Sequence, residues 1–294
     1  MKTKKKLLVS VVALMTVVGM TAACTPPDES GGLPAVNWSF KGTQVKVIDS
    51  QDEVRGLFGE CIPLEVLGGC KDEPYLLNIG FRVKIGQAGS AQVSVTNNRT
   101  SAPQDVTVGS TVTVGDAAGG KVTFNGVRPV DLLDLTNTNN HLEIVGTYVW
   151  ASEEDFVGNG LAADSVAAIL KDGLNTTLAT ADISGLDANS ILNLILSNIG
   201  NALGIMVQNI PLLGLGDDVL GGGIYIGIGA HGALGSAIDG LLGGVSVPTI
   251  NIPFDLPPSI TSGGIYTFTG AKNFNQTFSG AGGVHQWWMT AGPA

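Results

Sequence analysis

The sequence predicts a mostly β protein with a helical insertion, an α+β chain on an antiparallel β-sandwich-like core. Three observations predict it. Leu77, Ile79, Phe81, Val83 and Ile85 alternate with Asn78, Gly80, Arg82, Lys84 and Gly86, the period of two that marks a strand. Gly supplies 42 of 294 residues and charged side chains only 14%, a balance that suits many turns and argues against a helical bundle or coiled coil. One stretch, Leu192, Ile195, Leu196, Ile199 and Leu203, repeats its apolar residues at clear helical spacing, with a polar stripe of Asn189, Asn193, Ser197 and Asn201 opposite.

The first element is an export segment, residues 1–23. Lys2, Lys4, Lys5 and Lys6 make a basic start, Leu7 to Met20 an apolar run, and Thr21-Ala22-Ala23 a small-residue stretch before Cys24. That is the layout of a secretory signal peptide, and the run is short for a spanning helix. Ala22-Ala23-Cys24 resembles the end of a bacterial lipoprotein signal, although Thr21 stands where that family favours an aliphatic residue. The resemblance implies that Cys24 is acylated and becomes the new N-terminus; ordinary cleavage after Ala23 is the alternative. Residues 24–36 then read as a tether, with Thr25-Pro-Pro-Asp-Glu-Ser-Gly-Gly32 free of apolar side chains. The expected location is the cell envelope, outside the cytoplasm, with the membrane as first partner through the lipid anchor.

In an oxidising compartment Cys61 and Cys70 predict a disulfide. Pro63 and the Gly68-Gly69 pair allow the short loop to close. Such a loop stabilises by roughly 2–3 kcal/mol at best. A zinc site at these cysteines lacks two further ligands of sensible spacing.

Residues 37–150 read as the β-sandwich-like region. Val45 and Val47, Leu77 to Ile85, Val93 and Val95, Val112 and Val114, Val122 and Phe124, and Leu142 to Trp150 supply the strands. Asp116-Ala-Ala-Gly-Gly120 is the expected hairpin turn between two of them. The alternation implies one sheet face in the core and one in water. Residues 151–294 read as a helical segment followed by a Gly-rich β region, in the same domain or a second. A first helix spans Leu161–Leu170 with Gly173 as its stop, and a second runs from an Asp187 cap to about Leu203. Gly221 to Gly232 is either a strand closely approached by a neighbour or a Gly-rich loop. Val245 to Phe254, with its prolines, reads as an edge strand and extended connection. Ile265–Thr269 and Val284–Thr290 read as two closing strands, paired as a hairpin.

The chemistry is sparse. His141, His231 and His285 have no metal partner at a recognised spacing and read as surface histidines. No Gly-x-Ser-x-Gly elbow or phosphate-binding loop occurs. Glu153, Glu154 and Asp155, and separately Asp217 and Asp218, read as solvated turns or helix starts. The oxygens of Asp131, Asp134, Asn137 and Asn139 match no calcium loop. No catalytic residue, metal ligand or cofactor is assigned. Trp287 and Trp288 are the candidate ligand contacts: neighbours on a strand point to opposite faces, so one belongs to the core and the other is free to stack on a sugar or sit at a lipid interface.

Charge excludes a class of partners. With Lys2, Lys4, Lys5 and Lys6 set aside, 11 of the 15 basic residues face 25 acidic ones, a net −14. That field repels nucleic acid. The reading that follows is an exported, lipid-anchored envelope protein acting as a non-enzymatic binding or structural module. The alternative is a lipid-handling or pore-forming envelope protein, suggested by the nearly uncharged stretch from Leu186 to Phe254, with a lipid or another envelope component as partner. A hydrolase with an unrecognised site, built on Glu153, Glu154 and Asp155, is the third.

Overall fold

The computed structural model describes residues 35–50, 71–96, 99–127, 141–153, 161–183, 186, 188–208, 219–228, 264–268, 270–280 and 283–293. Among them are twelve strands: β1 (Val36–Ser50), β2 (Lys71–Asp72), β3 (Pro74–Lys84), β4 (Gln92–Thr96), β5 (Val106–Thr107), β6 (Thr111–Thr113), β7 (Val122–Val127), β8 (Glu143–Glu153), β9 (Val219–Ile228), β10 (Ile265–Phe268), β11 (Lys272–Gly280) and β12 (Gly283–Pro293). Two helices, α1 (Leu161–Thr176) and α2 (Ala188–Gln208), lie between β8 and β9. The chain is thus mostly β with a helical insertion. No helix among the described residues is long and apolar enough to cross a membrane.

Two sheets carry the fold. Sheet I runs β11-β12-β1, and the far edge of β1 pairs with both β6 and β7. Sheet II runs β10-β9-β8-β3-β4, and β2 and β5 form a small separate ribbon. Every pair is antiparallel except β9 with β10, which is parallel. Strands from both halves of the chain share each sheet: β12 pairs with β1, and β9 with β8.

Sheet II is a middle layer with two cores. On one face Leu77, Ile79, Phe81 and Val83 of β3, Ile144, Tyr148 and Trp150 of β8, and Ile224 and Ile226 of β9 pack with the helices. The helices contribute Leu170, Leu174, Ile195, Leu196, Ile199 and Leu203, the stripe that the helical spacing predicts for α2. Asn193 and Ser197 of the opposite stripe are exposed. On the other face Leu76, Val145, Val149 and Tyr225 meet Trp38, Phe40, Val45, Phe278, Trp287 and Met289 of sheet I. A large apolar side chain fully withdrawn from water contributes about 1.5–3 kcal/mol, so both interfaces hold the fold together.

Four expectations are corrected. First, the polar side of β3 is not in water: Asn78, Gly80 and Arg82 are buried between the sheets. Second, residues 116–120 do not make a hairpin turn between β6 and β7. Both strands pair with β1, at Gln44–Lys46 and Val36–Phe40, and the loop between them leaves that edge to wedge between the sheets. The Gly42 and Leu76 amides, one from each sheet, donate to Gly119 and Ala118 carbonyls at 2.8 and 2.9 Å, and the Asn78 amide donates to Gly120 O. Gly119 is obligatory there, since a Cβ would collide with Gly42 O. Third, Gly173 does not stop α1, which continues to Thr176. It is a crossing point: a Cβ at Gly173 would stand 3.1 Å from Ala202 Cβ of α2. Fourth, β10 does not form a hairpin with β12. It pairs with β9, and β12 takes β11 as its hairpin partner. Of the two readings for the Gly-rich stretch, the strand is the one observed over Val219–Ile228, and Gly227 is closely approached by the Trp38 ring. The stretch 245–254 lies outside the described residues.

Candidate functional site

The outer face of sheet I is one candidate. β12 alternates strictly from Gly283 to Met289, with odd positions buried and even positions half-buried. Trp287 therefore points inward and is 0% exposed; a Cβ on Gly42 would lie 2.9 Å from its ring, so the absence of a side chain at Gly42 makes its room. Trp288 points the other way and is half-buried. The two candidate contacts are thus separated by a sheet, and Trp287, packed in the core, presents no surface to a ligand.

Strand register defines what surrounds Trp288. Opposite it stand Asn275 on β11 and Gln44 on β1, and Gln44 in turn faces Thr113 on β6. The next row runs Thr277, Gln286, Lys46, Thr111. With strands about 4.8 Å apart, each row of four spans roughly 14 Å. Gln286 donates to Asn275 Oδ1 at 2.9 Å, and Thr43 Oγ1 donates to Trp288 O at 3.0 Å, which hold the amides and the indole strand in place. Apart from Lys46, the two rows offer amides, hydroxyls and one indole.

A second cluster is buried where the sheets meet β2. Asp72 on β2, Glu73 beside it and Glu153 at the end of β8 each bring a carboxylate oxygen, all within 4.8 Å of one another. Asp72 is 0% exposed and Glu153 3%. His285, on the inward side of β12 and also 0% exposed, has Nε2 2.5 Å from Asp72 Oδ2. Among the described residues Asp72 Oδ1 and His285 Nδ1 have no hydrogen-bond partner. Two expectations fall here. His285 is not a surface histidine, and Glu153 is not a solvated turn residue. Both sit on strand positions that face inward.

The other buried charges are structural. Arg82 Nε donates to Glu143 Oε2 at 2.8 Å, and its two remaining nitrogens donate to Asn125 O and Gly126 O of β7 at 2.8 and 2.9 Å. This pair ties sheet II to sheet I with its donors satisfied. His141 Nδ1 lies 3.0 Å from Ile85 O, a loop clip. Between the sheets, Trp38, Phe40, Phe124, Tyr225 and Phe268 line a cavity of about 20 Å³, room for one water-sized molecule. Burial raises the Tyr225 hydroxyl well above its ordinary range, and it stacks on Tyr266 at 5.2 Å.

Cys24, Cys61, Cys70, Asp131, Asp134, Asn137, Asn139, Glu154, Asp155, Asp217, Asp218 and His231 lie outside the described residues. The sequence reading missed the Asp72, Glu73, Glu153 and His285 cluster and the Arg82–Glu143 pair. The one usable sign was parity: His285 shares its side of the strand with Trp287, two positions away. No family model, no curated protein and no solved structure matches the chain.

Proposed function

We propose that this is an exported, lipid-anchored envelope protein that acts as a non-enzymatic binding module, holding a neutral polysaccharide on the outer face of sheet I around Trp288. The observation that carries the reading is the Asn275–Trp288–Gln44–Thr113 row. An indole offers an apolar ring face to the C–H side of a sugar, and flanking amides and hydroxyls offer donors and acceptors to its hydroxyls. A face built from four strands suits an extended chain, and it needs no charge. Cys24 and the tether would place that face outside the cytoplasm, within reach of envelope glycans. The inter-sheet cavity has room for one water-sized molecule and not for an acyl chain; residues 209–218 and 229–254 of the stretch behind the lipid-handling alternative lie outside the described residues.

The test expresses the full chain, purifies the processed protein and runs affinity electrophoresis against a panel of soluble neutral polysaccharides, with a liposome flotation arm. Wild type is retarded by at least one polysaccharide, and Trp288→Ala weakens that retardation about tenfold, equivalent to about 1.4 kcal/mol. Trp287→Ala serves as the contrast: it destabilises the fold by about 3–5 kcal/mol. Equal migration of wild type and Trp288→Ala on every polysaccharide sinks the reading. Flotation with liposomes that depends on Trp288 would put the lipid-handling alternative in its place.

A further inference from the structure

We propose that Asp72, Glu73 and Glu153 form a site for one divalent cation of the calcium class, oriented by His285. The site is separate from the sheet I face and does not depend on the polysaccharide reading. Three observations lead to it.

The first is spacing. One carboxylate oxygen from each acid lies within 4.8 Å of the others. Oxygens bound to one Ca²⁺ at about 2.3–2.6 Å stand at most about 4.6–5.2 Å apart across the ion, so the three fit one coordination sphere without moving the backbone.

The second is the state of Asp72. It is fully buried; His285 Nε2 takes Oδ2 at 2.5 Å, and Oδ1 has no hydrogen-bond partner among the described residues. A buried carboxylate oxygen without a donor is costly, and a cation at this point supplies Asp72 Oδ1 with a partner; Glu73 Oε1 also accepts from the Asp105 amide at 3.2 Å. His285 then does what outer-shell groups do at metal sites: it fixes the rotamer of a ligating carboxylate. His285 is itself 0% exposed, so its orientation is set by packing rather than by solvent.

The third is donor chemistry and placement. All three ligands are hard oxygens, which select calcium, magnesium or manganese over zinc. Three carboxylates on one ion favour calcium, because magnesium keeps much of its water and uses one or two carboxylates. The donors come from β2, from the link into β3 and from the end of β8, and the orienting histidine comes from β12 of the other sheet. A bound ion therefore joins the ribbon and both sheets at one point, with an affinity in the sub-millimolar to millimolar range of extracellular calcium modules.

The test uses the full chain after processing, stripped with EGTA and titrated with CaCl₂ by calorimetry, with thermal melts alongside and MgCl₂ in a parallel titration. One Ca²⁺ binds per chain and raises the melting temperature. Glu73→Gln, at the half-buried edge of the site, weakens binding about 10–100-fold, and Asp72→Asn abolishes it. If Asp72→Asn does not fold, Glu73→Gln decides the matter alone. The proposal is overturned if wild type takes up no Ca²⁺ at millimolar concentrations, if Glu73→Gln binds as wild type does, or if Mg²⁺ binds more tightly than Ca²⁺.

Discussion

β3 and β12 are both eleven residues long, and both alternate large and polar side chains through most of their length. Their surroundings differ completely. β12 lies in an outer layer, so its even positions, Gln286, Trp288 and Thr290, reach the surface half-buried. β3 lies in the middle layer, and its first ten residues are all buried. Alternation in a strand reports which side a residue faces. It does not report whether that side meets water. A polar residue on a strand can equally well be spent on a partner: Asn78 on the loop at Gly120, Arg82 on Glu143 and on the carbonyls of β7.

The comparison breaks first at Arg82. Arg82→Ala leaves Glu143, 1% exposed, without its main partner and strips the Asn125 and Gly126 carbonyls of their donors. Breaking a buried pair from one side destabilises by about 3–5 kcal/mol. The matched change on β12, Gln286→Ala, alters a half-exposed surface and stays within about 0.5 kcal/mol. Urea denaturation of both variants measures the gap. Equal losses would mean that the polar side of β3 is open to water after all. A smaller effect belongs to Gly80. A Cβ there would stand 3.0 Å from Val122 Cβ, so Gly80→Ala forces β7 away from β3. Overpacking of this kind costs about 1–3 kcal/mol, and a free energy of unfolding unchanged from wild type would show that the sheets are not in contact at that point.

The same contrast explains what could be read from the chain. Apolar alternation located β3, β8 and β12, and the stripe at Ile195, Leu196, Ile199 and Leu203 located the buried side of α2. β11 was missed because its middle inward position is Gln276, whose amide donates to Tyr266 Oη at 2.5 Å. The apolar period there reduces to Phe274 and Phe278, four apart, which fits a helix as well as a strand. Gly173 read as a helix stop because local propensity cannot see Ala202 on another helix. Of the candidate surface, the opposite facing of Trp287 and Trp288 was legible from strand parity, but the row of amides beside Trp288 depends on register across four strands. The buried acidic cluster was illegible for the same reason: Asp72, Glu153 and His285 lie far apart in the chain and meet only through sheet pairing.

The smallest effect concerns the outer end of the loop that covers the polar side of β3. Asp116 holds Lys121 at 2.7 Å and Lys41 at 2.8 Å. Those hydrogen bonds, Lys121 first, keep its carboxyl below the ordinary carboxylate value. A depressed folded value means that the folded state binds the proton less readily than the unfolded chain does. The contribution is therefore complete above the unfolded value and lost as pH falls through the folded one. Asp116 is exposed and screened by solvent, so the contribution stays below about 1 kcal/mol. Asp116→Asn should lower the urea midpoint slightly at neutral pH and low salt. The difference should shrink at high salt and vanish once the pH drops below the folded value. No gap at neutral pH and low salt would show that the loop is fixed by its backbone bonds to Gly42 and Leu76 alone, and that the two lysines merely lie beside it.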